Sequence, residues 1–326
     1  MPALVLTILC LAAPPQVRAE AAQIVPPGTY AYVTNQADNT VSVINVANPS
    51  TAVAGSPITV GTGPARVAVT PDGTKAYVTN ETENTVSVIN TSTNTVINTI
   101  YVGTLPVGVA VAPNGTKVYV TNALDSSVSV INTSTDTVIN TIMVGSGPLG
   151  VAVSPDQPKA YVTNNNNNSV SVINTTTNTV TNTVMVGTGP FEVAIAPGKF
   201  RAYVTNSIDD SVSVINTSTD TVTHVIPDGA GPLGVAVASG HPRAYVTNGN
   251  GNTVSAINTT TDAVTNTIPV GAGPLGVVVT SDDKKAYVAN SNANTVSVIN
   301  TSTNTVTDTI QVGAGPLDVT LGTVGK

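Results

Sequence analysis

The tetrapeptide YVTN recurs through most of the chain and limits the possible folds more than any other feature. Six copies and one YVAN variant begin at Tyr32, Tyr77, Tyr119, Tyr161, Tyr203, Tyr245 and Tyr287. Successive copies are 42 residues apart, except that the first interval is 45 residues because of an insertion within 46–57. A regular period of this length predicts an array of equivalent units rather than two unrelated domains.

Each unit contains four short segments with the composition of β-strands. In the unit that begins at Gly147 they are GVAVS, KAYVT, SVSVIN and TVTNTVMV. These segments are rich in Val, Ile, Thr and Tyr and are separated by turn residues, and helical periodicity is absent. Four antiparallel strands in a unit of roughly 40 to 45 residues are typical of a propeller blade. The sequence therefore predicts an all-β fold, a seven-bladed β-propeller with four-stranded antiparallel blades.

The phase of the repeat at the two ends of the chain distinguishes a closed ring from an open solenoid. The repeat region begins near Tyr30, in the second strand of a unit, and ends near Leu321, in a first strand. If residues 318–321 pair with residues 30–34, both ends of the chain complete blade one and no strand edge is left exposed. We therefore predict a closed propeller over residues 30–322, preceded by a linker at 20–29 and followed by a tail at 323–326.

The N-terminal segment has the pattern of a targeting signal. An apolar run covers residues 3–13, which is too short to span a membrane, and the small-residue cleavage pattern Val17-Arg18-Ala19 follows it. The alternative is a buried N-terminal strand. We predict a signal peptide at 1–19 and an exported protein in the periplasm, at the cell surface or in the medium, with no transmembrane anchor after cleavage.

Composition excludes several classes of function. The chain has 11 basic and 18 acidic residues and a formal charge of −7, so it lacks the basic footprint of a nucleic-acid-binding protein. One cysteine and two histidines leave little material for a thiol nucleophile, a disulfide framework or a histidine-rich metal site. His224 and His241 have no evident triad partner, so we expect them to be solvated. No cofactor is predicted.

The YVTN repeat, the NTVSVIN segments, the VGxGPxGVAV strands and the Pro71-Asp72-Gly73 turn resemble the YVTN-repeat seven-bladed propellers. The resemblance covers about residues 30–322. This group includes archaeal surface-layer proteins and periplasmic YncE-type proteins, and lactonases are more distantly similar propellers. The resemblance implies an exported binding or cell-envelope protein, and no catalytic motif can be carried over from it.

Seven equivalent residues, each two positions after the proline that opens the first strand, contain the main candidates for a ligand site. The resemblance to propellers places them beside the central axis. Four are glycines, as expected where seven strands converge, and three are charged: Arg66, Glu192 and Asp318. We predict a ligand-binding site formed by these three at one mouth of the channel. The simpler alternative is an ordinary ion pair between Arg66 and Asp318, with Glu192 a solvated rim residue.

Two further sets of polar residues recur in the repeat. A basic residue stands two positions before the repeat tyrosine at Lys75, Lys117, Lys159, Arg201, Arg243 and Lys285. Such a ring could attract an anionic polymer, but long side chains with their charged heads in water are the simpler expectation. The turn after the second strand carries acids such as Asp38, Glu81, Glu83, Asp125 and Asp209, which could suit Ca²⁺. Their spacing matches no calcium loop and ordinary turn chemistry explains them, so no metal site is predicted.

Two functions of different class remain open. The first is a non-catalytic exported propeller, expected to be monomeric, that binds a protein, a glycan or an envelope component. The second is an enzyme or enzyme subunit, such as a lactone hydrolase, in which Arg66, Glu192 and Asp318 surround the channel and one carboxylate is the general base. The sequence assigns no catalytic residue.

Overall fold

The computed structural model describes residues 24–50 and 53–325, so the predicted signal peptide lies outside the described part of the chain. The described residues form seven four-stranded antiparallel sheets with 28 strands in total. This confirms the predicted seven-bladed propeller. Within the same residues, no helix has the length and apolar character needed to cross a membrane.

Each blade is one sheet whose strands follow each other in chain order, except in blade one. Blade one contains β28 (Pro316–Val324), β1 (Gly28–Asn35), β2 (Thr40–Asn45) and β3 (Ile58–Thr59). Blade two contains β4 (Pro64–Val69), β5 (Lys75–Asn80), β6 (Thr85–Asn90) and β7 (Thr95–Tyr101). Blade three contains β8 (Pro106–Val111), β9 (Lys117–Asn122), β10 (Ser127–Asn132) and β11 (Thr137–Met143). Blade four contains β12 (Pro148–Val153), β13 (Lys159–Asn164), β14 (Ser169–Asn174) and β15 (Thr179–Met185), with a short 3₁₀ turn at Asn165–Asn167.

The last three blades have the same plan. Blade five contains β16 (Pro190–Ala196), β17 (Arg201–Asn206), β18 (Ser211–Asn216) and β19 (Thr221–Pro227). Blade six contains β20 (Pro232–Val237), β21 (Arg243–Asn248), β22 (Thr253–Asn258) and β23 (Ala263–Pro269). Blade seven contains β24 (Pro274–Val279), β25 (Lys285–Asn290), β26 (Thr295–Asn300) and β27 (Thr305–Gln311).

The core consists of apolar layers between neighbouring blades. In one such layer, Tyr77 and Val88 of blade two pack with Val118 and Ile131 of blade three. The second and third strands of each blade are buried on both faces, because a blade lies on either side of them. Even the serines of the third strands are therefore buried, whereas the fourth strands, at the rim, are mostly exposed.

Blade one closes the ring as the repeat phase predicts. β28 pairs antiparallel with β1, and Ala31 lies opposite Leu321 while Thr34 lies opposite Asp318. The paired strands extend to Gly28 and Val324, two residues beyond the predicted limits of the propeller at each end. The insertion within 46–57 leaves the fourth strand of blade one with only two residues, Ile58 and Thr59.

The basic residues of the second strands join neighbouring blades. Lys159 Nζ donates to Thr217 O at 2.8 Å and to Asp220 Oδ2 at 2.9 Å, and Tyr161 OH donates to Asp220 Oδ1 at 2.7 Å. We call this arrangement the interblade latch: a basic residue and the repeat tyrosine of one blade hold the turn between the third and fourth strands of the next. Equivalent latches are formed by Lys75, Lys117, Arg201 and Arg243. The expectation that these charges are simply solvated is therefore wrong at five of the six positions.

Candidate functional site

The first strands converge at the channel, where side chains have little room. A Cβ atom on Gly108 would lie 2.2 Å from Leu149 O of the next blade, and one on Gly234 would lie 2.2 Å from Leu275 O. Such approaches to backbone atoms would require the neighbouring strand to move. The prediction that the glycines fit a crowded axis is therefore confirmed.

The three charged exceptions meet in this channel. Arg66 Nη2 lies 2.8 Å from Glu192 Oε2, and Arg66 Nη1 lies 3.2 Å from Asp318 Oδ1. These residues come from blades two, five and one, and we call them the channel trio. The expected ion pair between the neighbouring Arg66 and Asp318 is confirmed. The expectation that Glu192 is a solvated rim residue is wrong, because the long arginine side chain reaches it from another part of the ring.

Two of the axial glycines make room for the carboxylates. A Cβ on Gly150 would lie 2.7 Å from Glu192 Oε1, and a Cβ on Gly276 would lie 2.6 Å from Asp318 Oδ1. Each carboxylate therefore occupies space beside the first strand of the preceding blade. A larger residue at Gly150 or Gly276 would displace the acid from its present position.

The threonines of the YVTN repeat fix the backbone of the trio. Thr79 Oγ1 accepts a hydrogen bond from Arg66 N at 3.1 Å, and Thr205 Oγ1 accepts one from Glu192 N at 3.0 Å. Thr34 Oγ1 accepts the equivalent bond from Asp318 N at 3.1 Å. All three threonines are fully buried. Sequence reasoning treated YVTN only as a strand signature and missed that its threonine positions the first strand.

The trio is nearly enclosed and carries one net negative charge. The side chains of Arg66, Glu192 and Asp318 are 12%, 16% and 14% exposed. Burial disfavours the charged form of Arg66, but the nearby carboxylates of Glu192 and Asp318 favour that form more strongly, so the pKa of Arg66 is raised. Burial raises the pKa of Glu192, the Asp318 carboxylate adds to this, and Arg66 offsets part of it. Glu192 thus accepts a proton at a higher pH than an ordinary glutamate does.

Phe191 and Glu81 complete the surroundings of Arg66. The guanidinium carbon lies 5.6 Å from the centre of the Phe191 ring, within the range of a cation–π contact. Glu81 Oε2 accepts a hydrogen bond from Gln36 Nε2 at 2.9 Å, and burial raises the pKa of Glu81. Sequence reasoning missed Phe191, although leucine stands at its position in four of the repeats.

The space beside the trio is small. A cavity of about 160 Å³ is lined by the trio and by valines and glycines of the first strands. At roughly 30 Å³ for each water molecule, it holds about five waters. A ligand larger than this would extend from the cavity over the mouth of the channel.

The other acidic and histidine candidates have structural contacts. Asp125 Oδ2 accepts a hydrogen bond from Thr104 N at 2.7 Å, and Glu83 Oε1 accepts one from Thr62 Oγ1 at 2.7 Å, so both acids hold turns that link blades. In residues 24–50 and 53–325, no group of three or more His, Cys, Asp or Glu is arranged to hold a metal ion. His224 is exposed as expected, and His241 is 69% exposed but lies 3.1 Å from Asp283 Oδ2.

A family model described as lactonase, 7-bladed beta-propeller, matches residues 21–179, just under half of the chain. No curated protein is significantly similar in sequence. Among solved structures, hydrazine synthase from Kuenenia stuttgartiensis is 22% identical with a TM-score of 0.72, over 79% of this chain and 90% of that one. A protein of unknown function from Desulfotomaculum acetoxidans is 17% identical with a TM-score of 0.80, over 90% and 99% of the two chains.

A third solved structure, titled a "putative 6-phosphogluconolactonase" from Bacteroides fragilis, is 16% identical with a TM-score of 0.76, over 90% of this chain and 97% of that one. At these identities the solved structures support the fold alone. The finer resemblance to surface-layer and YncE-type proteins stays a prediction. This chain is a seven-bladed β-propeller that is similar to the lactonase propeller family over residues 21–179.

Proposed function

We propose that this propeller recognises a small polar molecule at the mouth of its channel, through the channel trio. The observation that supports this proposal is the convergence of Arg66, Glu192 and Asp318 at positions where four other blades have glycine. Burying three charges is costly, and replacing a buried ion pair by other residues is often neutral or stabilising. Charges that depart from the repeat in a concave site are therefore better explained by recognition than by stability.

The charges of the trio limit the chemistry of the ligand. Arg66 already serves two carboxylates, so the site as a whole is an anion and disfavours a multiply charged anionic ligand. It favours a molecule that donates hydroxyl hydrogens to Glu192 and Asp318 and offers one carbonyl or carboxylate oxygen to Arg66. A polyhydroxy lactone or the corresponding hydroxy acid has these groups, and the family match over residues 21–179 supports this class.

Hydrolysis of the lactone is the second candidate function, and the family match together with the raised pKa of Glu192 favours it. Glu192 would take a proton from water as the water oxygen forms a bond to the carbonyl carbon. The oxyanion would develop beside Arg66, which stays protonated. The ring C–O bond would then break, Glu192 would return the proton to the leaving oxygen, and a hydroxy acid would result. Asp318 would position Arg66 without touching the reacting atoms.

Binding and hydrolysis can be measured separately on the purified protein. D-glucono-δ-lactone and D-gluconate serve as probes, with calorimetry for binding and the rate of lactone loss above the buffer rate for hydrolysis. Replacing all three trio residues by glycine should keep the fold, since it restores the residue found in the other repeats, and should abolish both signals. Glu192→Gln should keep binding and abolish hydrolysis.

The matched control is Glu83→Gln, which removes an acid on a turn between strands rather than at the axis. It should change neither signal. Binding without hydrolysis in the native protein would leave a non-catalytic ligand-binding propeller. Equal binding by the native and triple-glycine proteins would overturn the proposed site, and no binding of either probe would overturn the proposed ligand class.

We also propose that the protein is exported and that it interacts with a protein, a glycan or a component of the cell envelope. Export is supported by the apolar run and the cleavage pattern within residues 1–19. Intact-mass measurement of protein recovered from the envelope or the medium tests it. A cytosolic product that keeps Met1 would contradict it.

A further inference from the structure

The fourth strands of blades two and three differ from those of the later blades at two exposed positions. The first is the extra residue of a β-bulge in the pairing with the third strand, where β7 has Ile97 and β11 has Ile139. In blades four to seven the bulge residue is a threonine whose hydroxyl donates to a carbonyl of the third strand, as Thr265 Oγ1 does to Ala256 O at 2.9 Å. An isoleucine cannot make this bond, so its presence in blades two and three has no hydrogen-bonding reason within the blade.

The second position is the last residue of the fourth strand. It is Tyr101 in β7 and Met143 in β11, whereas it is proline or glutamine in blades five to seven. Blade four is intermediate, with threonine at the bulge and Met185 at the end of the strand. The strands β7 and β11 are neighbours, since Asn98 Nδ2 of β7 lies 3.5 Å from Asp136 O in the turn before β11. We use the name apolar rim for the four exposed residues on these two strands: Ile97, Tyr101, Ile139 and Met143.

The apolar rim is large enough for a weak protein contact. In chain order, its four residues are 51%, 79%, 50% and 66% exposed. At roughly 200 Å² for a large residue, they present about 500 Å² of accessible surface, so two copies of the rim would bury about 1,000 Å² against each other. This area is at the lower limit for a specific interface, and it predicts a reversible contact rather than an obligate one.

Charge and strand edges favour a second copy of this chain as the occupant of the apolar rim. The formal charge of −7 opposes contact between two copies over most of their surface, but β7 and β11 contain no charged residue. Both strands lie at the edge of their sheets, where backbone groups are left unpaired. In blades five to seven the edge strands carry a proline or an aspartate, which discourages further pairing, and β7 and β11 have neither. An uncharged apolar patch of this kind can pack against an identical patch in a two-fold contact.

We propose that the apolar rim is the contact surface of a weak two-fold dimer of this chain, in place of the monomer expected from the sequence. The rim of one copy meets the rim of the other, so the same residues of β7 and β11 are buried on both sides. The fourth strands lie at the outside of the ring, whereas the channel trio lies at its centre, so the dimer leaves the mouth of the channel open. The dimer does not depend on the function proposed for the trio.

Sedimentation velocity on the full-length protein over a range of concentrations measures this association. The test variant Ile97→Glu/Ile139→Glu places a carboxylate at the bulge of both rim strands. The matched control Thr223→Glu/Thr265→Glu makes the same change in net charge at the equivalent bulges of blades five and six, where both threonines are exposed. A second test variant, Ile97→Thr/Ile139→Thr, introduces the bulge residue of the later blades and should therefore keep the fold.

The native protein should dimerise reversibly at concentrations up to about 100 µM, because an interface of this size is weak. Ile97→Glu/Ile139→Glu should weaken the dimer by about tenfold or more, because it buries charges without partners, and the matched control should dimerise like the native protein. Ile97→Thr/Ile139→Thr should also weaken the dimer through lost apolar area, without a lower melting temperature, which separates the contact from unfolding. The triple-glycine variant of the trio should dimerise normally.

Three results would overturn the proposed dimer. The first is a native protein that remains monomeric over the whole concentration range. The second is association that is unchanged in Ile97→Glu/Ile139→Glu, which would place the contact elsewhere, for example on the apolar residues 3–13. The third is an equal loss of association in the test variant and the matched control, which would show an effect of net charge rather than of the apolar rim.

Discussion

Asp228 provides the clearest test of how the repeat stabilises this propeller. Valine stands at the equivalent position in all six other repeats, and it packs against the core in each of them, as Val186 and Val270 do in neighbouring blades. Both carboxylate oxygens of Asp228 are buried, and neither has a hydrogen bond of ordinary geometry in the described residues, although the Ser255 hydroxyl and Gly229 N–H lie nearby. We therefore predict that Asp228→Val stabilises the protein.

The expected gain has two parts. Removing a buried polar group without a partner is worth about 1 to 3 kcal/mol, and partial burial of a valine adds about 1 kcal/mol. Because Asp228 is only half-buried as a residue, we take the lower end of the first range, about 1 kcal/mol for the polar group. Together with the valine, the expected gain in the free energy of unfolding is about 2 kcal/mol at neutral pH. For a chain of this size that corresponds to a melting temperature roughly 3 °C higher.

The gain should depend on pH. Burial raises the pKa of Asp228, and the nearby Ser255 hydroxyl and Gly229 N–H offset only part of this effect. The Asp228 carboxyl has its ordinary pKa of 3.8 in the unfolded chain and a higher pKa in the folded protein. As pH rises above 3.8, Asp228 therefore loses its proton in the unfolded chain first, and the folded protein becomes less stable until the pH exceeds the pKa of Asp228 in the folded state. The advantage of Asp228→Val should therefore be larger at pH 7 than below pH 4, where about 1 kcal/mol from packing remains.

Urea unfolding at the two pH values measures both parts. Asp228→Asn separates them, since it should recover the pH-dependent part without the apolar packing. Val270→Asp is the reverse control and should destabilise the protein with the same pH dependence. If Asp228→Val is no more stable than the native protein at pH 7, the carboxylate has a stabilising contact and the argument is refuted.

Three further predictions concern other contacts. Deleting residues 316–326 removes β28 from blade one and should lower the melting temperature of the whole propeller; an unchanged value would show that the ring does not depend on this strand. Asp220→Asn weakens the latch with Lys159 and Tyr161 and should lower the unfolding free energy in urea by about 1 kcal/mol, and no loss would mean that the latch is energetically neutral. Burial opposes ionisation of Asp283, but hydrogen bonds from His241, Gly240 and Ser239 have the larger effect and lower the pKa of Asp283. The ionised Asp283 should therefore stabilise the folded protein above pH 3.8, and this stabilisation should be lost as pH falls through the lower pKa of the folded state. Asp283→Gly should flatten the acid end of a circular-dichroism stability profile, and an unchanged profile would contradict this reasoning.

The sequence by itself determined the architecture. A 42-residue period with four strand segments permits few folds, and the phase of the repeat at the two termini requires the C-terminal strand to pair with the N-terminal one. The adjacency of Arg66 and Asp318 also follows from blade order, since the two residues occupy equivalent positions in neighbouring blades. These conclusions need only the order of the units along the chain.

The tertiary structure alone decided which side chains meet across the ring and between blades. Glu192 reaches Arg66 because the channel is narrow enough for one arginine side chain to bridge it, and the repeat does not specify that width. The latch joins residues 58 to 61 positions apart whose contact depends on how closely neighbouring blades stack. The insertion within 46–57 is visible in the sequence, but only the closed ring shows that Val46 at its start lies beside the same cavity as Lys285 of blade seven. Periodicity fixes the positions of the backbone strands, whereas the contacts of long polar side chains depend on distances between strands that are remote in sequence.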